Sequence, residues 1–238
     1  MDNLATEITT AGQHNVTFHV EGREDGKGYL TQPQGGSKHG LVLIQEWWGL
    51  NQSLCITADK FSAKGFTVIV PDVYRGKCAK NREEAGHYFK DLEWDGAVAD
   101  MKGAALHLKE KLGCTKVGIL GFCLGGALTF AALSATQNVF SAGAPFYGVP
   151  DMTKFPLKNI HVPIQAHFGE LDTSKGFSDP ETARKVEKEA HELKLNFELK
   201  LWKNGEHAFM NQNSVHYNAE VAHNALEEVA AFFQKYLA

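Results

Sequence analysis

Short apolar runs, rich in β-branched and aromatic residues, recur along the chain and alternate with longer stretches of helical periodicity. Runs at Val16–Val20, Leu41–Gln45, Thr67–Val70, Lys116–Leu120, Ser141–Phe146, Val162–Ala166 and Phe197–Leu201 predict strands. Several are apolar at every position rather than at alternate ones. That is the pattern of strands covered on both faces of a parallel sheet. Between the runs, Ser53–Lys64, Arg82–Lys90, Trp94–Leu112, Ala127–Ser134, Pro180–Lys194 and Asn218–Leu237 read as helices. Asp179 followed by Pro180 is a helix start, a capping side chain before a proline at the first helical position. The last helix carries Val221, Ala225, Val229 and Phe232 on one face. The alternation predicts an α/β fold, a mostly parallel central sheet with helices on both faces. No internal repeat, low-complexity segment or long linker interrupts it, so residues 1–238 read as one domain. In such sheets the chemistry gathers at the carboxyl ends of the strands.

Composition narrows the classes. Hydrophobic residues make up 43% and charged residues 22%, enough to bury a core and ordinary for a globular chain. A net charge of −4 offers no basic excess for a nucleic acid or an anionic membrane. Cys55, Cys78, Cys114 and Cys123 are too scattered for a disulfide framework, and read as reduced thiols of a cytoplasmic protein. The polar amino-terminal stretch, with Asp2, Asn3, Glu7, Gln13 and His14, does not have the pattern of a secretory signal. Val117–Ala135 is long and apolar enough to suggest a membrane span. Its four glycines, Gly118, Gly121, Gly125 and Gly126, favour a buried strand, a tight turn and a buried helix instead.

That turn carries the first candidate chemistry. Gly121-Phe122-Cys123-Leu124-Gly125-Gly126 places a thiol where the G-x-S-x-G nucleophile elbow has a hydroxyl. A nucleophile on so sharp a turn needs small neighbours two residues away on each side. The helix that follows offers free N–H groups and a positive dipole end to a thiolate or an oxyanion. The Leu124 N–H is the expected first half of an oxyanion hole. A free cysteine is ordinarily a small buried hydrophobe, and Cys55, Cys78 and Cys114 read that way; the strand–turn–helix setting singles out Cys123.

An elbow nucleophile needs an acid and a histidine later in the chain. Gly169-Glu170-Leu171-Asp172 follows one predicted strand, and Asn204-Gly205-Glu206-His207 follows the next. Asp172 would orient His207, which would act as general base and then acid. Glu170 is the runner-up for the acid, and Asp179 lies on the same connection. Of the eleven histidines, His207 alone sits just past a strand in this way. His167 is expected to pack, and His14, His19, His39, His107, His191, His216 and His223 to be solvated. There is no HExxH, CxxC, GxGxxG or Walker A pattern, so the sequence suggests no metal or nucleotide cofactor. One further acid stands out. Glu46 ends a core strand and precedes Trp47, Trp48 and Gly49. Either this is a surface turn with two packing aromatics, or Glu46 lies beside the nucleophile and the Trp47 N–H completes the oxyanion hole.

Taken together, these residues resemble the dienelactone hydrolase family. Gln45-Glu46-x-x-Gly49, Pro71-Asp72-x-Tyr74, Gly121-x-Cys123-Leu124-Gly125-Gly126, Tyr147-Gly148-Val149, Gly169-x-x-Asp172 and Gly205-x-His207-x-Phe209 occur in the family's order. The resemblance implies a cofactor-free α/β-hydrolase fold that cleaves small esters or lactones through an acyl-cysteine. It implies Cys123 as nucleophile, His207 as base, Asp172 as orienting acid, and Glu46 as a partner of the resting thiol. It also implies substrate contacts from Arg82, Trp48, Tyr147 and Phe209, with Trp47 beside them, and an aromatic or cyclic acyl group. The family's second substrate-binding arginine would fall four residues after the histidine, where this chain has Asn211. A neutral amide cannot make the charge-assisted fork of an arginine, and Arg75 is a candidate substitute. The alternative from another class is a binding or redox-sensor protein with Cys123 as its reactive thiol.

Overall fold

A computed structural model describes residues 10–238; the first nine, part of the polar amino-terminal stretch, lie outside the described residues. Among the described residues, eight strands form one sheet: β1 (Val16–Phe18), β2 (Gly26–Thr31), β3 (His39–Ile44), β4 (Thr67–Pro71), β5 (Lys116–Phe122), β6 (Ala142–Phe146), β7 (Ile164–Gly169) and β8 (Phe197–Trp202). Their order is β1-β2-β4-β3-β5-β6-β7-β8. From β4 to β8 every neighbouring pair is parallel, while β1 and β2 form an antiparallel edge. Strands β4, β6 and β7 are buried at every position, Gln165 and His167 of β7 included, as expected of strands covered on both faces.

Six α-helices among the described residues cover the sheet: α1 (Gln52–Ala63), α2 (Arg82–Lys90), α3 (Trp94–Glu110), α4 (Leu124–Ala135), α5 (Pro180–Glu192) and α6 (Ala219–Leu237). Side chains alternate across β3. Val42 and Ile44 join the core beneath α3, α4 and α5. Leu41 and Leu43 join the core beneath α1 and α6. Asn51, Asn81, Asp179 and Asn218 cap α1, α2, α5 and α6 by accepting backbone N–H groups in the first turn.

Three expectations are corrected. Strand β2 is absent from the sequence reading, because Gly-Lys-Gly-Tyr-Leu-Thr has little strand propensity at its start; pairing with β4 imposes the conformation. Strand β1 stops at Phe18, where the chain turns toward β2. Helix α4 begins at Leu124 rather than Ala127, immediately after the thiol. The apolar run Val117–Ala135 is divided between β5 and α4, and no helix among the described residues is long and apolar enough to cross a membrane.

Candidate active site

Parallel strands bring their carboxyl ends to one edge, so the connections after β3, β5, β6, β7 and β8 meet there. These connections carry Glu46, Cys123, Tyr147, Asp172 and His207. Cys123 sits between β5 and α4 with φ 54° and ψ −113°, a conformation that residues with a Cβ seldom adopt. It is held there from both sides. Its N–H donates to the Phe146 carbonyl at 3.1 Å, and its carbonyl accepts from the Ala127 N–H at 3.1 Å. The small flanking residues are needed for space. A Cβ on Gly121 would lie 2.4 Å from the Gly125 carbonyl oxygen, and one on Gly125 would lie 2.5 Å from that of Ile44. Leu124 is the first residue of α4, where helix geometry leaves an N–H without an intrahelical acceptor.

His207 stands between the thiol and the acid. Its Nε2 is 3.2 Å from Cys123 Sγ, and its Nδ1 is 2.8 Å from Asp172 Oδ2. Asp172 is buried, and its Oδ1 accepts the Ser174 N–H at 2.9 Å. Burial pushes the Asp172 carboxyl up, but hydrogen bonds from His207, Ser174 and Ser178 and the His207 charge outweigh it and hold the group below the usual carboxylate range. Burial likewise works against the His207 cation. Hydrogen bonds to Asp172 and Cys123, with their negative charges, reverse this and raise the imidazole well above its ordinary value. The raised value makes the ring a ready proton acceptor, with Nε2 facing the sulfur. Of the rival acids, Glu170 is exposed, and Asp179 is committed to capping α5. His167 packs as expected, fully buried with its ring stacked on Phe146 at 4.2 Å, and burial lowers it to about 3.

Cys123 and His207 open into a cavity of about 450 Å³, a volume suited to a small organic ligand. Glu46, Trp47, Trp48, Arg82, Phe89, Phe177 and Asn211 are among its lining residues. Glu46 is 8% exposed; it accepts the Tyr147 hydroxyl at 3.3 Å and the Asn211 amide at 2.5 Å. It also borders a second cavity of about 20 Å³, shared with Tyr147, Asn51 and Met210 and large enough for a single water.

Three side chains are not where the sequence reading placed them. Phe209 is completely buried, its ring 5.1 Å from that of Tyr147, because the turn after His207 directs it into the core. Tyr147 is also completely buried; it bonds Glu46 and does not line the large cavity. Arg75 does not line the cavity at all; its guanidinium is paired with buried Asp100 and with the Glu24 carbonyl. Conversely, His216 reaches the rim, bonded to Glu206 at 2.6 Å, instead of being simply solvated. Phe89, Phe177 and Ser178 escaped the sequence reading. An aromatic residue inside the polar loop Thr173-Ser174-Lys175-Gly176-Phe177-Ser178 was the available signal for the last two.

The sequence profile of the dienelactone hydrolase family matches residues 27–237, nearly the whole chain. The chain belongs to the dienelactone hydrolase family. It is therefore a hydrolase of the ester- and lactone-cleaving kind, on the α/β-hydrolase fold. Relatives include the protein usf of Aquifex pyrophilus, 32% identical over 220 residues, which cover 89% of this chain and 94% of that one. A putative carboxymethylenebutenolidase of Aquifex aeolicus is 30% identical over 223 residues, covering 89% and 94%. Among solved structures, a putative dienelactone hydrolase of Klebsiella pneumoniae superposes with a TM-score of 0.82 at 18% identity, covering 93% of this chain and all of that one (100%). A dienelactone hydrolase-like promiscuous phosphotriesterase from metagenomic libraries gives 0.80 at 20% identity, covering 94% and 98%. The family match spans β3 to β8, and Cys123, Asp172 and His207 lie within it.

Proposed function

We propose that this dienelactone hydrolase family member cleaves small aromatic or cyclic esters, thioesters or lactones through an acyl-cysteine on Cys123. The observation that carries the reading is the chain Cys123–His207–Asp172, spaced 3.2 and 2.8 Å, opening into an aromatic-walled cavity of about 450 Å³. His207 Nε2 takes the thiol proton, and the sulfur attacks the carbonyl carbon. The oxygen of the tetrahedral adduct takes the negative charge, which the Leu124 and Trp47 N–H groups receive. The bond to the leaving oxygen or sulfur breaks, and His207 returns the proton to it. Water then attacks the acyl-cysteine, giving a proton to His207, and the carboxylic acid leaves as the thiol is restored. Asp172 keeps the Nδ1–H tautomer in place throughout. Glu46 shares the cavity with the thiol and takes part in its activation when substrate enters.

The cavity also suggests what the substrate carries. Trp47, Trp48, Phe89 and Phe177 offer flat apolar area, and Arg82 supplies a guanidinium for one anionic substituent. Where a second cation would face it, Asn211 instead donates a neutral amide to Glu46. A neutral aryl ester, or one with a single carboxylate, fits this set better than a more highly charged one. All four cysteines are free, which accords with a reducing compartment such as the cytoplasm. The test is hydrolysis of a neutral aryl ester and of a dienelactone by wild type and Cys123→Ala, with rapid quench and peptide mass analysis. An acyl adduct on the Cys123 peptide and loss of turnover in the variant are expected. Unchanged turnover in folded Cys123→Ala overturns the thiol mechanism.

A further inference from the structure

The loop after Asp172 folds back and brings Ser178, completely buried, against the imidazole. Ser178 Oγ is 3.0 Å from His207 Nδ1, the nitrogen that also faces Asp172 Oδ2 at 2.8 Å. Ser178 also helps to hold the Asp172 carboxyl below its usual range, as a donor directed at a carboxylate does. An ionised carboxylate only accepts, so the serine proton points to Asp172 and the serine lone pairs turn toward Nδ1–H. The loop holds this orientation. The Ser178 N–H donates to the Ser174 carbonyl at 3.0 Å, and the neighbouring Asp179 accepts the Gly176 N–H at 2.8 Å while capping α5.

We propose that Ser178 is a positioning residue of the reaction, donating to Asp172 and accepting from His207 Nδ1 so that the imidazolium formed during catalysis is stabilised. This rests on the reading of Cys123 and His207 given above. When His207 takes the thiol proton, a full positive charge appears on a ring that is largely out of water. The negative end of the serine O–H dipole already faces that charge, so no group must reorganise to meet it. The shared acceptor also keeps the Nδ1 hydrogen directed away from the thiol, and leaves Nε2 to face Cys123.

A serine that only filled space would support stability and rate, but would not set the pH at which the ring loses its proton. NMR titration of the His207 ring therefore separates the two roles. The comparison is Cys123→Ala against Cys123→Ala/Ser178→Ala, a background in which the thiol does not titrate. With fewer acceptors for the imidazolium, the double variant is expected to lose the His207 proton about 0.5 to 1 pH unit lower. In the otherwise wild-type enzyme, Ser178→Ala is expected to lower kcat on a neutral aryl ester about 3- to 10-fold with KM little changed. Ser178→Thr, which keeps the hydroxyl, is expected to restore both where it folds. Superimposable His207 titrations overturn the proposal, whatever the rate does. Full turnover by Cys123→Ala would instead reject the thiol mechanism, so the two failures are told apart.

Discussion

Asp172→Asn tests the heart of the site. The change replaces a group that only accepts hydrogen bonds with one that also donates. In the wild type, Asp172 accepts the His207 Nδ1 hydrogen at 2.8 Å and the Ser174 N–H at 2.9 Å. A backbone N–H can only donate, so the asparagine oxygen stays with Ser174 and its amide NH₂ faces Nδ1. Two donors cannot share that contact. The ring hydrogen moves to Nε2, the atom 3.2 Å from the Cys123 sulfur, which then cannot take the thiol proton. A wrong tautomer of this kind costs roughly 10⁴ in kcat, about 5.5 kcal/mol of barrier. The assay is steady-state hydrolysis of a neutral aryl ester at neutral pH, with urea unfolding as a control for the fold. Stability supplies an independent sign. The Asp172 carboxyl lies below its usual range in the folded state, so it contributes stability above its unfolded value near pH 4 and loses it as pH falls through the folded value. The asparagine variant has no such group, and its stability should decline less steeply on acidification below about pH 4. A folded variant with kcat within tenfold of wild type and an unchanged acid limb would refute the assignment.

Other consequences follow from packing. Gly125→Ala would drive a methyl to 2.5 Å from the Ile44 carbonyl and 2.6 Å from that of Gln45, both backbone atoms, and should destabilise the protein by about 3 kcal/mol in urea titration while lowering turnover; wild-type stability would show that the elbow can relax. Gln45 is completely buried and neither amide atom has a hydrogen-bond partner, so Gln45→Met should raise stability by about 1 kcal/mol or more, and a lowered urea midpoint would count against that reading. Arg75→Ala removes the chief partner of buried Asp100 and should cost about 2 kcal/mol, less than a fully buried pair because Arg23 remains 3.8 Å away. KM should not move with it, and a raised KM for carboxylated esters alone would return Arg75 to the substrate site.

Apart from β2, the succession of strands and helices along the chain, the elbow and the positions of Asp172 and His207 after successive strands are legible in the sequence, for a common reason. Each is a local pattern: an apolar run, a capping residue, a glycine-flanked thiol between a strand and a helix, a turn at a strand's end. Strand β2 was not legible, because its conformation comes from pairing with β4 rather than from its own residues. The loop residues were legible only in part. Phe209 and Tyr147 sit beside the right motifs but point into the core. Arg75 carries the right charge but faces Asp100. Ser178 and Phe177 reach His207 from a loop with no periodicity to mark them.

What the sequence determined by itself is therefore the kind of fold and the chemistry on offer: a thiol on a sharp turn, with an acid and a histidine in hydrolase order. What only the tertiary structure decided is which side chains meet. His207 faces Cys123 from 84 positions away and Asp172 from 35, and Asn211 holds Glu46 from 165. Periodicity constrains a residue's face within its own element, but the direction of a loop side chain is set by what packs beneath it. Here the parallel sheet supplies that packing by bringing five strand ends to one edge.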